Sequence, residues 1–228
     1  MQPTYLPWIG YFGMMDRVDE FVLLDSVQFA RRSWQQRNQI KTANGPLWLT
    51  VPVLTKGARA QLIKDVRIDW SRDFPDSHMR SIELSYRRSS HYDEYAPGLF
   101  AILRRRHERL ADLTIELILW LRDRLGISTP VRLASDTGTD GRKDDLLAAL
   151  CQSVSGDHYL AAPGSREYLR HSTAFAARGI KISYHEFAHP TYAQAFGDFL
   201  PYMSVIDLLF NAGQDSLALI RSAYEGRP

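Results

Sequence analysis

The stretch Gln2-Pro-Thr-Tyr-Leu-Pro-Trp-Ile-Gly-Tyr-Phe12, followed by Phe21-Val-Leu-Leu-Asp25, defines the start of the expected fold. Two prolines stiffen the opening, because each fixes φ and removes a backbone donor. Residues 9–18 fit a helix. Residues 21–24 form a short apolar run that ends at an acid, which is typical of a buried strand. The opening residues therefore predict a stiff loop, a helix and a buried strand.

The second half of the chain alternates between strand and helix patterns, with short turns between them. Three strands and two helices are predicted there, at residues 130–133, 143–154, 158–161, 166–178 and 180–184. This alternation is typical of an α/β domain with parallel strands. Two further strands are predicted at residues 47–53 and 66–70.

The middle of the chain has a helical pattern, and its apolar residues recur at three- and four-residue steps from 92 to 125. We expect one α/β domain over residues 1–228. Its mostly parallel sheet, of Rossmann-like or HUP-like type, would be flanked by helices, with a helical insertion at about 76–125.

The composition narrows the class of protein. The chain has 228 residues, 45% hydrophobic content and a net charge of +2, so its charge gives no reason to expect a nucleic-acid partner. A single cysteine excludes an intrachain disulfide and favours a reducing compartment. No apolar run approaches the roughly 18 residues of a membrane span, and the start lacks a signal-peptide pattern. We expect a cytoplasmic protein without a membrane span. The oligomeric state stays open.

Two groups of candidate substrate-binding residues lie near the start. The opening loop supplies the first group: Gln2, Tyr5, Trp8 and Tyr11. They form one wall of a pocket or, alternatively, an aromatic hinge that buries the chain start. The second group follows the first predicted strand, where open α/β sheets bind ligands: Asp25, Gln28, Arg32, Trp34, Arg37, Asn38 and Lys41. Its guanidinium groups suit phosphate or carboxylate, although ordinary surface ion pairs would also explain them.

A third group follows the last predicted strand, in Phe187-Ala-His-Pro-Thr-Tyr-Ala-Gln194. His189 precedes a proline, which biases it away from the helical region. A histidine fixed on an extended turn can act as a general base, or it can be bonded locally as part of the turn. Tyr192 and Gln194 complete this polar set as candidate substrate-binding residues.

Motifs for other chemistries are absent from the sequence. There is no Rossmann glycine fingerprint, Walker A motif or HExxH spacing. A GxSxG elbow is also missing. We therefore predict no metal site and no cofactor. Cys151 lies among leucines in a predicted helix and is expected to be a small buried hydrophobe rather than a nucleophile.

The sequence resembles the WbqC-like family of bacterial proteins from end to end. The segments that carry the resemblance include Gln2-Pro-Thr-Tyr-Leu-Pro-Trp-Ile-Gly-Tyr-Phe12, Arg32-Ser-Trp-Gln-Gln-Arg-Asn-Gln-Ile-Lys41, Phe187-Ala-His-Pro-Thr-Tyr-Ala-Gln194 and Ser204-Val-Ile-Asp-Leu-Leu-Phe-Asn211. The resemblance implies a role beside polysaccharide, O-antigen, modified-sugar or natural-product biosynthesis.

Family members usually carry a short apolar strand before the Gln-Pro pair, whereas Met1 directly precedes Gln2 here. If that strand is absent, the central sheet loses a strand and the first pocket wall is poorly anchored. The order of the first elements also resembles the nucleotidyltransferase branch of the HIGH-motif folds. Residues 5–8, however, hold Tyr-Leu-Pro-Trp where paired histidines would fall.

Three functions are open at this point. The first is a transferase that moves an acyl or aminoacyl group onto an amine of a nucleotide-linked amino sugar or a natural-product intermediate. Its substrate is a small molecule, such as a nucleotide-linked sugar or a carrier-bound acyl group. In this reaction His189 deprotonates the amine and Asp25 orients the acceptor. The second is a nucleotidyltransferase-like enzyme, and the third is a non-catalytic ligand-binding or scaffold protein of a polysaccharide cluster.

Overall fold

The fold is described from a computed structural model that defines residues 1–55 and 60–224. The last four residues of the expected domain lie outside this range. The helices of the described chain are α1 (Ile9–Asp16), α2 (Asp76–Tyr86), α3 (Tyr92–Arg104), α4 (Leu110–Arg124), α5 (Lys143–Ser153), α6 (Arg166–Leu169), α7 (Val205–Ala212) and α8 (Ser216–Ser222). Its strands are β1 (Phe21–Leu23), β2 (Arg37–Thr42), β3 (Gly45–Thr50), β4 (Val131–Leu133), β5 (His158–Ala161) and β6 (Lys181–Tyr184).

These strands form three two-stranded sheets within the described residues. β1 pairs with β4 and β5 pairs with β6, both in parallel, whereas β2 and β3 form an antiparallel hairpin. The fold is thus mixed α/β, with short parallel sheets flanked by helices. A single continuous, mostly parallel sheet is not formed.

A groove lies between the two parallel pairs. The N-terminal amine of Met1 donates to Val22 O, and Leu24 N donates back to Met1 O, both at 2.8 Å. This is the bonding pattern of a parallel ladder, so Met1 pairs with the edge of β1 that faces away from β4. Residues of β1 and β5 line a cavity of about 290 Å³ beside it.

The helices predicted at 76–125 are present, but the long one is broken. The segment between α3 and α4 turns outward to pair with residues 66–68, where Ile68 N donates to Glu108 O at 3.0 Å and Leu110 N donates to Val66 O at 2.8 Å. The strand predicted at 66–70 was wrong, because these residues form only isolated bridges with 53 and 109.

The helix predicted at 166–178 was also largely wrong. Only α6 and a 3₁₀ turn at Ala176–Arg178 are helical. Ser172 Oγ donates to Asp144 Oδ2 at 2.7 Å and accepts a bond from Ala174 N at 3.3 Å. A serine that bonds nearby backbone in this way competes with helix formation.

Candidate functional site

Three segments from distant parts of the sequence lie side by side at the free edge of β2. Ser204 N donates to Gln39 O at 2.8 Å, and Val205 N donates to Pro7 O at 2.8 Å. Trp8 and Ser204 form an antiparallel bridge. The opening loop, the β2–β3 hairpin and the loop before α7 therefore share one surface.

Strained backbone marks this region. Four non-glycine residues in its loops have positive φ: Leu6 (45°), Arg32 (56°), Phe196 (62°) and Tyr202 (63°). Such conformations are uncommon for bulky side chains and tend to cluster at functional sites. The strain therefore supports placing a site here.

The β2–β3 hairpin and the loop before it carry a group of tryptophans and arginines, which we call the platform: Arg31, Arg32, Trp34, Arg37 and Trp48. Trp34 is 50% exposed and Trp48 is 39% exposed, and their ring centroids lie 5.3 Å apart. The guanidinium carbon of Arg37 lies 4.2 Å from the Trp48 ring centre. Its Nε atom is buried without a hydrogen-bond partner among the described residues.

A cavity of about 560 Å³ adjoins the platform, and Arg31, Arg32, Gln36 and Thr55 contribute to its lining. Arg31 donates to Thr55 Oγ1, and Arg32 N donates to Gln36 Oε1 at 3.2 Å. Within residues 1–55 and 60–224, neither arginine has an ion pair. The platform can thus offer positive charge to an anion and flat aromatic surface to a ring.

His189 lies in an aromatic cluster that includes the opening loop. Its ring is close to parallel with that of Trp8, at 6.3 Å between centroids, and lies 5.2 Å from that of Tyr202. Nδ1 lies 2.9 Å from Pro190 O, a group that can only accept, so Nδ1 carries the proton. Nε2 accepts a bond from Tyr202 N at 3.1 Å. Burial lowers the pKa of His189 below its usual value, so the neutral ring is favoured.

The sequence reasoning missed a buried acid, Asp207, which is 1% exposed on α7. It accepts bonds from Tyr86 OH (2.9 Å), Tyr192 OH (2.8 Å) and Gln194 Nε2 (2.6 Å). Burial raises the pKa of Asp207, while these three bonds and the nearby Lys41 oppose the rise. Tyr192 and Gln194, predicted to bind substrate, thus serve as partners of Asp207 in this structure. The sequence does contain one signal for this residue, since Asp207 is the acid inside the otherwise apolar helical run at residues 205–210.

Several other candidates are buried and already bonded to the protein. Asp25 accepts from Ser135 N and Oγ at 2.9 and 2.6 Å, and Asn38 donates to Leu6 O at 2.6 Å. Lys41 donates to Asp198 O at 2.6 Å. Tyr5 and Tyr11 are also buried. The Tyr5 hydroxyl bonds to His78 Nδ1 (2.9 Å), and the Tyr11 hydroxyl donates to Gln2 O (3.2 Å). These side chains hold the loops in place rather than face a ligand.

Two predicted residues lie at the surface outside the platform. Gln2 is exposed, and its Oε1 accepts from Gln35 Nε2 at 2.8 Å, next to Trp34. Gln28 is also exposed and forms an isolated bridge with Leu62. The structure therefore brings Arg32, Trp34 and Arg37 together, and it places Gln2 close to them. Asp25 lies apart, at the end of β1.

The described part of the chain contains neither a metal-binding cluster nor a membrane-spanning helix. No three His, Cys, Asp or Glu side chains lie close enough together there to hold a metal ion. None of its helices is both long and apolar enough to cross a membrane.

Comparison with known proteins places the chain in a family. A sequence profile of the WbqC-like protein family matches residues 2–219, and the chain therefore belongs to this family. It is similar to a Mycobacterium tuberculosis protein described as uncharacterized protein Rv1507c. The two are 35% identical over 223 residues, which cover 97% of this chain and 96% of the relative. No solved structure matches the chain.

Proposed function

We propose that this member of the WbqC-like family is a transferase that moves an acyl or aminoacyl group onto an amine. The acceptor in this proposal is a nucleotide-linked amino sugar or a related natural-product intermediate that binds at the platform. The acyl donor is a carrier-bound thioester. The single cysteine of the sequence fits a reactant pool in a reducing compartment such as the cytoplasm.

The platform is the observation that carries this proposal. An exposed tryptophan pair offers stacking surface to a sugar or base ring. Three arginines beside it offer bidentate donors to phosphate oxygens. Arg37 combines both features, because it lies over Trp48 and its guanidinium has no ion pair among the described residues. A nucleotide-linked sugar contains both of the groups that this surface suits.

The proposed reaction forms one amide bond. The amine nitrogen attacks the carbonyl carbon of the thioester, the carbon–sulfur bond breaks, and the thiolate leaves. The amine loses one proton, which His189 accepts at Nε2 and returns to the thiolate. Because Tyr202 N–H occupies that lone pair in this structure, the loop around residue 202 must shift before His189 can act as a base. Asp25 contributes only indirectly in this proposal, because its carboxylate is bonded to Ser135 and fixes the chain at the end of β1.

The occupied lone pair of His189 supports a second candidate function. A histidine bonded at both ring nitrogens fixes its loop without taking part in proton transfer. On that basis the alternative is a non-catalytic protein that binds the same ligand at the same platform. The two functions differ in turnover and not in binding.

The two parallel pairs also support a proposal about the sheet. A Rossmann-like or HUP-like order would place β4 and β1 on one side of the groove and β5 and β6 on the other. The two parallel pairings support this proposal. The carboxyl ends of such strands are the usual ligand edge; Asp25 follows β1 and His185 follows β6.

The proposal is tested by ligand stabilisation followed by product analysis. Nucleotide-linked amino sugars, nucleoside triphosphates and acyl thioesters are screened for thermal stabilisation, with and without Mg²⁺. Binding raises the unfolding temperature by mass action. Trp48→Ala and Arg37→Gln should abolish the shift. Leu47→Ala should retain it, since adjacent residues on a strand point to opposite faces.

Turnover is then measured by mass spectrometry of the amide product. We expect product from the wild type and at least a 100-fold loss of turnover in His189→Ala, with ligand stabilisation retained. Thermal stabilisation by a ligand without any product would contradict the transferase proposal and support the non-catalytic binding protein. Stabilisation only by a nucleoside triphosphate with Mg²⁺, accompanied by pyrophosphate release, would establish nucleotidyl transfer instead.

A further inference from the structure

The turn between α2 and α3 borders a second cavity, which shares no lining residue with the platform cavity. The turn has the sequence Arg87-Arg88-Ser89-Ser90, and residues 193–196 lie across from it. The cavity volume is about 540 Å³, within the range of small-molecule sites.

The lining is positively charged. Arg87 and Arg88 are exposed, and no acidic side chain lines the cavity. Neither guanidinium has an ion pair or hydrogen bond within residues 1–55 and 60–224. Asp93 and Glu94 in the first turn of α3 are exposed and stand outside the lining. Two unpaired arginines side by side attract an anion.

Ser89 supplies a second, independent observation. Its Oγ atom is buried and has no hydrogen-bond partner in the described chain. Buried polar atoms in folded proteins are almost always bonded, and a missing partner calls for an explanation. A hydroxyl can donate one hydrogen bond. Rotation of the Ser89 side chain toward the cavity would let its Oγ donate to an oxygen of a bound anion.

Phe196 gives the cavity an apolar wall. It is 44% exposed and has a φ of 62°, which is rare for a bulky residue. The loop is fixed on its far side, because Lys41 Nζ donates to Asp198 O at 2.6 Å and Leu200 N donates to Gln194 Oε1 at 2.9 Å. The exposed ring is thus held at the rim, where it can stack on a ligand ring.

We propose that this cavity is a binding site for a small organic phosphate that contains a ring. Arg87, Arg88 and the Ser89 hydroxyl bind the phosphate oxygens, and Phe196 packs against the ring. This site is distinct from the platform and does not depend on the proposed transferase function.

Isothermal titration calorimetry with phenyl phosphate tests the site. We expect binding to the wild type, and at least a tenfold weaker affinity for Arg88→Gln, because a charge-assisted bond is lost. Ser89→Ala should also weaken binding. Phe196→Ala should weaken the binding of phenyl phosphate but leave the affinity for inorganic phosphate unchanged. Arg80→Gln removes an exposed charge of α2 outside the cavity and should retain full affinity.

Three results would overturn the proposal. The first is a wild-type protein that binds neither phenyl phosphate nor inorganic phosphate. The second is an equal loss in Arg80→Gln, which would indicate diffuse charge attraction. The third is a loss confined to Arg31→Gln, which would assign the phosphate to the platform.

Discussion

Asp207 shows how a single buried acid can organise the candidate site. Its carboxylate accepts bonds from two phenols and one amide that come from α2 and from the loop after β6. Because burial disfavours the charge, the carboxylate depends on these donors. The donors in turn depend on the carboxylate. Asp207 is only 1% exposed, so water does not readily take its place. The loop that carries His189 and Tyr202 is thereby joined to α2 and α7.

We predict that Asp207→Ala lowers the free energy of unfolding by about 3 kcal/mol, because it leaves two buried phenols without their acceptor and removes one of the two acceptors of Gln194 Nε2. Urea unfolding followed by circular dichroism measures the change. Asp215→Ala is the matched control, since Asp215 is exposed and has no ion pair in the described chain. It should stay within about 0.5 kcal/mol of the wild type. A loss below about 1 kcal/mol in Asp207→Ala would show that the donors find other partners.

The sequence identified Tyr192 and Gln194 as important polar residues, but it did not identify their partner. Spacing along the chain cannot show that a phenol from α2 and a loop amide reach the same carboxylate. Arg32, Trp34 and Arg37 were easier to group, because they are close in sequence and exposed. Asn38 and Lys41 stand in the same segment, yet strand alternation turns Asn38 inward, and the loop at residues 197–198 covers Lys41.

Helix α1 depends on two glycines that make room for aromatic rings. A Cβ atom at Gly10 would lie 2.1 Å from Trp8 Cη2, and one at Gly13 would lie 3.1 Å from Phe187 Cε2. Helix propensity alone would favour alanine at both positions. The glycines are therefore explained by the indole of Trp8 and the ring of Phe187, which pack directly on the helix backbone.

We predict that Gly10→Ala lowers the free energy of unfolding by roughly 1–3 kcal/mol, because the methyl group displaces the Trp8 ring. In a Trp8→Ala background the same change should be neutral, or stabilising by up to about 1 kcal/mol. Urea midpoints of the four proteins in the cycle measure the coupling. Gly164→Ala is the control, since a Cβ there meets nothing within 4 Å. Equal losses in both backgrounds would contradict the steric explanation.

Elements were predictable where local pattern and packing agree. Residues 21–24, 143–154 and 180–184 closely match β1, α5 and β6, since each has a clear apolar period and a turn at its end. Residues 66–70 alternate like a strand but have no continuous partner, because the neighbouring chain is the short link between α3 and α4. A strand needs a ladder partner that local sequence cannot supply.

The arrangement of the sheets was hard to predict for the same reason, because it depends on partners that are distant in the sequence. The two parallel units were predictable from the alternation of strands and helices. Their separation by a groove was not predictable from that alternation, because it depends on what occupies the free edge of β1. In the described part of the chain, Met1 bonds to that edge. The expectation of a missing strand came from the family resemblance and not from periodicity.

Buried basic groups tie the stability of the molecule to pH. Burial lowers the pKa of His78 to about 4, and burial together with Arg17 lowers that of His185 to about 4. Burial also lowers the pKa of the Met1 amine to about 5. Each folded-state pKa is depressed. As the pH is lowered, the unfolded chain therefore takes up protons before the folded chain does, from about pH 8 for the amine and 6.5 for the histidines. The free energy of unfolding decreases as the pH decreases.

We predict that the free energy of unfolding decreases as pH falls from about 8 to about 4, with His78 alone contributing about 3 kcal/mol of the loss. The raised pKa of Asp207 acts in the opposite direction near the acid end. Urea unfolding at pH 8, 6.5, 5 and 4.5 measures the slope. His78→Gln should reduce the slope below pH 6.5, whereas His171→Gln, at an exposed position, should leave it unchanged. Constant stability over this range would show that the buried rings gain protons without unfolding, through an opening of the core around Tyr5 and His78.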